Sequence, residues 1–243
     1  MAKQNRQRLD KVLAHLGFGT RKEIKQLIKA GQVTVNELPV KDGGQIIDPT
    51  IDKIKVGEEA VTYKEFVYIM LNKPQGVLSA TEDYNSPTVL DLLPESFRVF
   101  KPFPVGRLDK DTEGLLLLTN DGQLAHNLLA PKKHVPKTYY ARIKGWVDEE
   151  DVREFKQGIV LDDGYQTRPA ILKILTAGPC SEIELTIYEG KFHQVKRMFL
   201  ALDKQVTYLK RIAMGPLTLD PSLGPGQYRE LTEEEVEKLK ANG

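Results

Sequence analysis

The sequence predicts an α+β fold with a largely antiparallel mixed sheet flanked by helices, and three observations support this prediction. Many short segments have strand character and are joined by tight turns. Regular strand–helix–strand crossovers, which accompany parallel sheets, are few. The 243 residues are enough for one large domain and one small domain.

The N-terminal region predicts the small domain. Residues 8–16 have the apolar spacing of an amphipathic helix. Thr20 and Glu23 form a capping box for a second helix, which ends near Gly31. Residues 32–36 then alternate as a strand. Two short helices followed by small strands therefore open the chain.

We place the small domain at residues 1–60, a polar linker at 61–66 and the large domain at 67–243. The first strand of the large domain ends before Pro74, because proline cannot donate to a strand ladder. Further strands are predicted at 139–143, 183–188 and 217–219, and helices at 122–129, 148–157, 193–202 and 232–240.

Charge is distributed unevenly along a chain whose formal net charge is only +1. Residues 1–30 carry eight lysines and arginines against two acidic residues. A basic end on an otherwise slightly acidic protein indicates a surface for a polyanion. The candidate contacts are Arg6, Arg8, Lys11, Arg21, Lys22, Lys25 and Lys29.

Composition also narrows the class of protein. Cys180 is the single cysteine, so an intrachain disulfide is excluded and a cytoplasmic location is expected. Apolar stretches approaching the ~20 residues of a membrane span are absent, as is the apolar core of a secretory signal. The four histidines have no cysteine or histidine partners at metal-ligand spacing, so we expect no metal site.

The most informative segment is Gly106–Gly122, GRLDKDTEGLLLLTNDG. Leu115–Leu118 show neither helical nor alternating periodicity, which fits a strand buried on both faces or a short buried helix. Asp109 precedes this run, so its carboxylate is expected on a loop entering the rigid centre of the domain. Gly106 and Gly114 permit tight backbone paths around that loop.

This segment resembles the signature of the RsuA branch of pseudouridine synthases, which modify ribosomal RNA. That signature reads G-R-L-D-x-x-T-x-G-L-L-x-x-T-x-D-G, and the chain matches every fixed position. The resemblance implies that Asp109 is the catalytic nucleophile, and a loop carboxylate that caps a turn is the alternative interpretation. Thr112 is expected to hydrogen-bond the loop into shape.

Two further segments match this family. Residues 137–139 fit its K-x-Y motif, whose tyrosine stacks on the target base, so Tyr139 is selected over Tyr140; a core or cross-strand aromatic is the alternative. Residues 189–198 resemble the motif E-G-x-x-x-Q-V-[KR]-R-M. There Lys196 would pair with the catalytic carboxylate, unless it is only part of a basic helix face.

The reaction detaches uracil from ribose, rotates it and rejoins it through carbon without net oxidation or hydrolysis, so no cofactor is expected. The target base must leave its stack. Arg107 is a candidate for filling the gap, with a phosphate clamp or a structural ion pair as the alternatives. Arg197, Lys73 and Arg142 are candidate phosphate contacts.

The opening Arg8-Leu9-Asp10-Lys11 and the helices around it resemble an S4 (α-L) RNA-binding module. This resemblance implies that the basic helix faces grip the RNA backbone, which proteins contact mainly through phosphates and shape. A solvated helical hairpin that binds nothing is the alternative interpretation.

The sequences of residues 71–76 and 193–199 favour the small-subunit branch of the family, as does the lack of a long basic C-terminal extension. The expected partner is small-subunit (16S) ribosomal RNA with a uridine of the U516 type, free or in a partly assembled particle. We expect a monomer and no membrane partner. A sister enzyme acting on large-subunit (23S) RNA, a catalytically vestigial rRNA-binding assembly factor and a nucleoside hydrolase are the alternatives.

Overall fold

The computed structural model describes residues 5–242. Within that range the chain divides into two compact units. The first runs to Val67 and also takes in Pro94–Lys101, whereas the second comprises Tyr68–Leu93 and the chain from Pro102 onward. Lys3, which contributes to the basic N-terminal region, lies outside the described residues. None of the helices within residues 5–242 is long and apolar enough to cross a membrane.

The first unit contains the predicted helix pair and small strands. Its elements are β1 (Gln7–Arg8), α1 (Leu9–His15), α2 (Arg21–Lys29), β2 (Val33–Val35), β3 (Leu38–Pro39), β4 (Ile46–Ile47), β5 (Ile54–Val56), β6 (Glu59–Val61) and α3 (Glu95–Arg98). Strands β3-β2-β5-β6 form an antiparallel sheet, and β1 pairs with β4. The predicted capping box is present, since the Glu23 amide donates to Thr20 Oγ1 and the Thr20 amide to the Glu23 carboxylate.

A small apolar core holds this unit together. Leu9 and Leu13 from α1 and Ile24 from α2 are fully buried against Val33 of β2. This is the packing that the helical spacing predicts. Strand β6 includes Val61, the first residue of the predicted linker, so the sheet continues one residue further than expected.

The segment Pro94–Lys101, which the sequence places inside the large domain, belongs to the first unit. Phe100 from this segment packs edge-to-face on His15, with ring centroids 5.3 Å apart. A Cβ atom on Gly17 would approach Val99 Cγ2 to 2.9 Å, so glycine permits close packing there. Contacts between residues more than eighty positions apart have no local signature, which is why the sequence did not predict them.

The second unit is built on a nine-stranded mixed sheet. Its strands are β7 (Tyr68–Lys73), β8 (Phe103–Pro104), β9 (Glu113–Thr119), β10 (Lys137–Lys144), β11 (Ile171–Thr176), β12 (Cys180–Ile187), β13 (Gln205–Met214), β14 (Leu217–Thr218) and β15 (Tyr228–Glu230). Its helices are α4 (Gly122–Leu129), α5 (Glu149–Gln157), α6 (Gln194–Leu200) and α7 (Glu233–Asn242). The strand order is β11-β12-β10-β13-β9-β7-β15, with β14 on β13 and β8 on β9.

The strands pair antiparallel throughout this sheet except for β9 and β13, which run parallel. The α+β prediction with a largely antiparallel mixed sheet is therefore confirmed. Helices α4 and α7 pack on the sheet through Leu124 and Leu239, and α5 meets α6 where the rings of Phe155 and Phe199 lie 4.9 Å apart.

The leucine run forms the buried strand that the sequence predicts. Leu115–Leu118 in β9 are at most 1% exposed, on both faces of the sheet. Asp121 then accepts a hydrogen bond from the Leu124 amide and starts α4. The predicted turn is thus also a helix cap. The segment before β9, which carries Asp109, enters a rigid and fully packed part of the unit.

Candidate active site

The loop before β9 and the first turns of α6 bring together a carboxylate and an ammonium group. Lys196 Nζ lies 3.0 Å from Asp109 Oδ2, so the predicted pair is present. The same Nζ lies 2.6 Å from Asp111 Oδ1, a second carboxylate that the sequence interpretation did not include. Asp109 is 28% exposed and Asp111 69%, so Asp109 is the more sheltered of the two.

These contacts stabilise the charged forms of Lys196 and Asp111. Burial lowers the pKa of Lys196, but its hydrogen bonds to Asp111 and Asp109 outweigh burial and raise the pKa above its ordinary value. Burial alone would raise the pKa of the Asp111 carboxyl, but the hydrogen bond from Lys196 and the positive charge of Lys196 together lower it, and the net shift of the pKa is downward. The ammonium group is therefore charged at neutral pH.

Lys73 is not a phosphate contact, and that prediction was wrong. Its side chain is fully buried. Its Nζ lies 2.9 Å from the carbonyl oxygen of Thr112, 3.1 Å from that of Asp109, 3.4 Å from that of Lys110 and 3.0 Å from that of Pro74. Burial lowers its pKa to about 8. Lys73 thus ties the backbone of the Asp109 loop to the end of β7.

Cross-strand register indicates which tyrosine faces the Asp109 loop. Tyr139 pairs with Arg211, Arg211 with Gly114, and Gly114 with Lys73, in one line across four strands. Directly opposed residues project from the same face of a sheet. Since Lys73 reaches the loop from that face, Tyr139 lies on the loop side and Tyr140 on the other.

Two buried polar atoms near this line have no hydrogen-bond partner among the described residues. Arg211 is 2% exposed, and its Nε donates to the Leu115 carbonyl at 2.8 Å while Nη2 has no partner. Thr112 Oγ1 is the second such atom. The prediction that the Thr112 hydroxyl shapes the loop was therefore wrong. Instead the Thr112 backbone amide donates to the Asp109 carbonyl at 3.0 Å and closes the turn.

The loop path requires both predicted glycines. Gly106 has φ +75° and Gly114 φ +104°, in the region that other residues rarely adopt. A Cβ atom on Gly114 would come within 2.2 Å of the Arg211 carbonyl oxygen. Ser79 also braces the loop, because its hydroxyl donates to the Leu108 carbonyl at 2.9 Å and lies 3.0 Å from the Leu108 amide.

The structure separates the three predicted arginine contacts. Arg107 is exposed beside Asp109. Arg197 forms ion pairs with Asp162 and with Asp163, the latter at 2.8 Å, and its role as a phosphate contact stays a prediction. Arg142 lies on the Tyr140 side of the sheet, where its guanidinium stacks 5.4 Å from the Tyr208 ring.

All of the predicted S4 contacts are exposed, namely Arg6, Arg8, Lys11, Arg21, Lys22, Lys25 and Lys29. Arg8 is partly compensated by Asp10, with 2.7 Å between Nη2 and Oδ2. Lys22, Lys25 and Lys29 follow the three- and four-residue spacing that places side chains on one helix face. They form a basic stripe along α2.

The sequence interpretation missed His193 and Phe192. His193 Nε2 lies 3.7 Å from Asp109 Oδ1, and the Phe192 ring stacks on the His193 ring. Both residues precede Lys196 within the matched motif, which was the available signal. Among residues 5–242, no group of three or more histidine, cysteine, aspartate or glutamate side chains is placed to hold a metal ion.

Comparison with known proteins identifies the family to which this fold and site belong. Residues 67–201 match the RNA pseudouridylate synthase family, and residues 7–50 match the S4 domain. A crystal structure described as a pseudouridylate synthase superposes with a TM-score of 0.68 at 40% identity, covering 96% of this chain and 99% of that one.

Curated relatives match over almost the whole chain. The uncharacterized RNA pseudouridine synthase YtzG of Bacillus subtilis is 56% identical over 96% of this chain and 98% of its own. The ribosomal large subunit pseudouridine synthase B of Bacillus subtilis is 42% identical over 97% and 96%. The ribosomal small subunit pseudouridine synthase A of Vibrio cholerae is 42% identical over 96% and 99%. The chain belongs to the RNA pseudouridylate synthase family and carries an N-terminal S4 domain.

Proposed function

We propose that this pseudouridine synthase converts one uridine of small-subunit ribosomal RNA to pseudouridine, with Asp109 as the nucleophile. The observation that carries the catalytic assignment is the sheltered Asp109 carboxylate 3.0 Å from Lys196 Nζ. This ion pair holds the Asp109 carboxylate in a fixed position, and a positioned carboxylate can act as a nucleophile. Lysine offers a point charge rather than the two-pronged contact of arginine.

The reaction needs little beyond a nucleophile and a held base. The bond between uracil N1 and ribose C1′ breaks, the base rotates and a bond forms between C5 and C1′; C5 then loses its proton and N1 gains one, so that the product is an isomer of uridine. Tyr139 supports the freed uracil by stacking, which contributes about 1–3 kcal/mol per base in other RNA-binding proteins. The buried Lys73 supports the reaction indirectly, because its contacts fix the backbone that carries Asp109.

The target uridine must leave its helix or loop before Asp109 can reach it, at a cost of a few kcal/mol. Arg107 is exposed next to the nucleophile and is our candidate for occupying the emptied position. The exposed basic side chains of α1 and α2 supply the phosphate contacts, which are independent of base sequence. The S4 unit therefore contributes affinity, and the catalytic unit contributes chemistry.

The proposal of small-subunit RNA as the substrate depends on the sequences of two motifs. Residues 71–76 and 193–199 resemble the small-subunit branch of the family. Overall identity does not discriminate, because the large-subunit enzyme of Bacillus subtilis and the small-subunit enzyme of Vibrio cholerae are both 42% identical to this chain. The large-subunit relative makes action on large-subunit RNA the second candidate function.

Mapping pseudouridines in both ribosomal RNAs of a deletion strain tests the proposal. We expect one site to disappear from the small-subunit RNA and to return when the intact gene is restored. Loss confined to the large-subunit RNA would replace our proposal with the second candidate. Loss at neither RNA, together with no tritium release from C5-labelled ribosomal RNA by the purified protein, would favour a non-catalytic assembly factor.

A further inference from the structure

An aromatic side chain stands exposed beside the candidate nucleophile. Phe192 lies in the loop before α6 and is 73% exposed. Its ring stacks on that of His193, with centroids 3.7 Å apart and planes 19° apart. His193 Nε2 in turn lies 3.7 Å from Asp109 Oδ1. Phe192 therefore stacks on the residue that approaches the carboxylate, and the two rings are roughly parallel.

The backbone under this stack adopts an unusual conformation. His193 has φ +49° and ψ +32°, the left-handed region, at the position that begins α6. Residues other than glycine adopt this region rarely, and they do so preferentially at functional sites. The left-handed turn places the two rings side by side at the start of the helix.

Buried polar side chains hold the loop in this conformation. Gln194, which is 4% exposed, accepts a hydrogen bond from the Lys191 amide at 2.9 Å and donates to Glu189 Oε1 at 3.0 Å. Glu189, which is 9% exposed, also accepts from the Arg168 amide at 2.8 Å. Its second oxygen accepts from the Tyr165 hydroxyl at 2.7 Å.

Arg197 braces the same loop from the helix. Its Nη1 approaches the Phe192 carbonyl oxygen to 3.5 Å while its other nitrogens pair with Asp162 and Asp163. The loop is thus held from both sides, and the exposed ring is preorganised. Leaving a large apolar ring in water gains nothing in folding, so a preorganised exposed aromatic indicates a ligand with a flat apolar face.

We propose that the Phe192–His193 pair is a stacking platform for the nucleobase next to the reacting uridine in the RNA. Every base has a π face, so one ring can serve whichever base occupies that position. The platform includes the residue that approaches Asp109, and its exposed Phe192 ring stacks on that residue, which suits a neighbour of the reacting nucleotide. Tyr139 remains the candidate partner of the reacting base itself. The inference rests on the proposed function, because it assumes an RNA substrate at this site.

The test combines a protein change with an RNA change. Phe192→Leu keeps an apolar side chain but removes the flat face, and Phe192→Trp enlarges it. The RNA is the ribosomal fragment around the uridine that loses its modification in the deletion strain, used intact and with an abasic nucleotide on either side of that uridine. Trp146→Ala is the matched control, because Trp146 is 63% exposed and follows the opposite end of β10 from Tyr139.

We expect Phe192→Leu to weaken binding of intact RNA about tenfold, Phe192→Trp to bind as tightly as wild type and Trp146→Ala to change nothing. Wild type should bind one of the two abasic RNAs about tenfold more weakly than it binds intact RNA. Phe192→Leu should bind that same abasic RNA as tightly as it binds intact RNA. The single-turnover rate of Phe192→Leu, measured at saturating enzyme, should stay within about twofold of the wild-type rate. This result would separate an effect on binding from an effect on the chemical step.

Equal binding by wild type and Phe192→Leu would overturn the platform. The platform would also be overturned if Phe192→Leu bound both abasic RNAs more weakly than wild type does, by the same factor as for intact RNA. Wild type that forms pseudouridine in these experiments would leave the proposed function standing. The map of pseudouridines in the deletion strain decides the proposed function by itself, so a failure of the proposed function is distinguishable from a failure of the platform.

Discussion

The two units of the molecule use the same basic residue types in opposite ways. In the first unit, Lys22, Lys25 and Lys29 are exposed along one face of α2. In the second unit, Lys73 is fully buried and Lys196 is shared by two carboxylates. Exposed cations can exchange counterions for phosphates, whereas buried and paired cations are already committed to protein groups.

The cost of dehydration explains this division. A buried ammonium group is costly unless oxygen atoms replace the water it loses. For Lys73 those oxygens are backbone carbonyls of the Asp109 loop, and for Lys196 they are the side chains of Asp109 and Asp111. A dehydrated cation therefore fixes the positions of the oxygen atoms that surround it. A catalytic loop needs such fixed positions, whereas an RNA-binding surface needs cations that stay exposed.

Replacing Asp109 by asparagine should produce the largest effect, which is a loss of catalytic activity in the second unit. The amide is nearly isosteric with the carboxylate but is a poor nucleophile, so we expect kcat to fall by about four orders of magnitude or more. RNA binding should persist. Tritium release from C5-labelled RNA measures the rate, and electrophoretic mobility measures binding.

The matched control is Asp111→Asn, because Asp111 shares the same lysine but is 69% exposed. Exposed ion pairs contribute at most about 1 kcal/mol, so its rate should fall less than about tenfold. If both variants lost activity equally, the two carboxylates would act as a unit and the assignment of Asp109 alone would be wrong.

Replacing Lys73 by methionine should have an intermediate effect, expressed in stability. The variant leaves the carbonyl oxygens of Asp109 and Thr112 without their donor, so we expect the free energy of unfolding to fall by about 2 kcal/mol or more at pH 7. Lys110→Met is the control, because Lys110 is exposed on the same loop and should change stability by less than about 0.5 kcal/mol. Urea denaturation measures both.

The loss of unfolding free energy in Lys73→Met, called the deficit below, should change with pH in a defined direction. The pKa of Lys73 is lowered from 10.5 to about 8 by burial, so between these values the unfolded chain binds more protons than the folded one. Stability of the wild type therefore rises with pH across this window relative to the methionine variant, and the deficit of the variant grows. A deficit that shrank from pH 8 to pH 10 would contradict a lowered pKa.

What the sequence could predict follows from how local each signal is. The leucines of β9 and the Thr20 capping box depend on neighbouring residues, and both were predicted correctly. The pairing of Lys196 with Asp109 was predicted through family resemblance, although the residues lie far apart in the chain. Strand β13 was not predicted, because polar and apolar residues mix on its two faces, and its role became visible only through pairing with β9 and β10.

Two basic residues have partners from distant segments that the sequence did not predict. Lys73 looked like a surface cation at a strand end, but the Asp109 loop, more than thirty residues later, covers it. Arg197, predicted as a phosphate contact, pairs in the structure with Asp162 of a different loop. Charge in a sequence therefore predicts that a partner exists, while only tertiary structure decides whether that partner is RNA or protein.

The smallest expected effect concerns the exposed cations. Replacing Lys22 and Lys25 by glutamine removes two charges while keeping helix propensity nearly unchanged. If both side chains contact phosphates, the slope of log K against log salt should become shallower by about 1.5, since each contact contributes about 0.7–0.9. Lys173→Gln is the control, because Lys173 already pairs with Glu184 at 3.5 Å and should leave the slope unchanged. Equal slopes for wild type and the double variant would place the RNA contacts elsewhere and end the division of labour drawn between the two units.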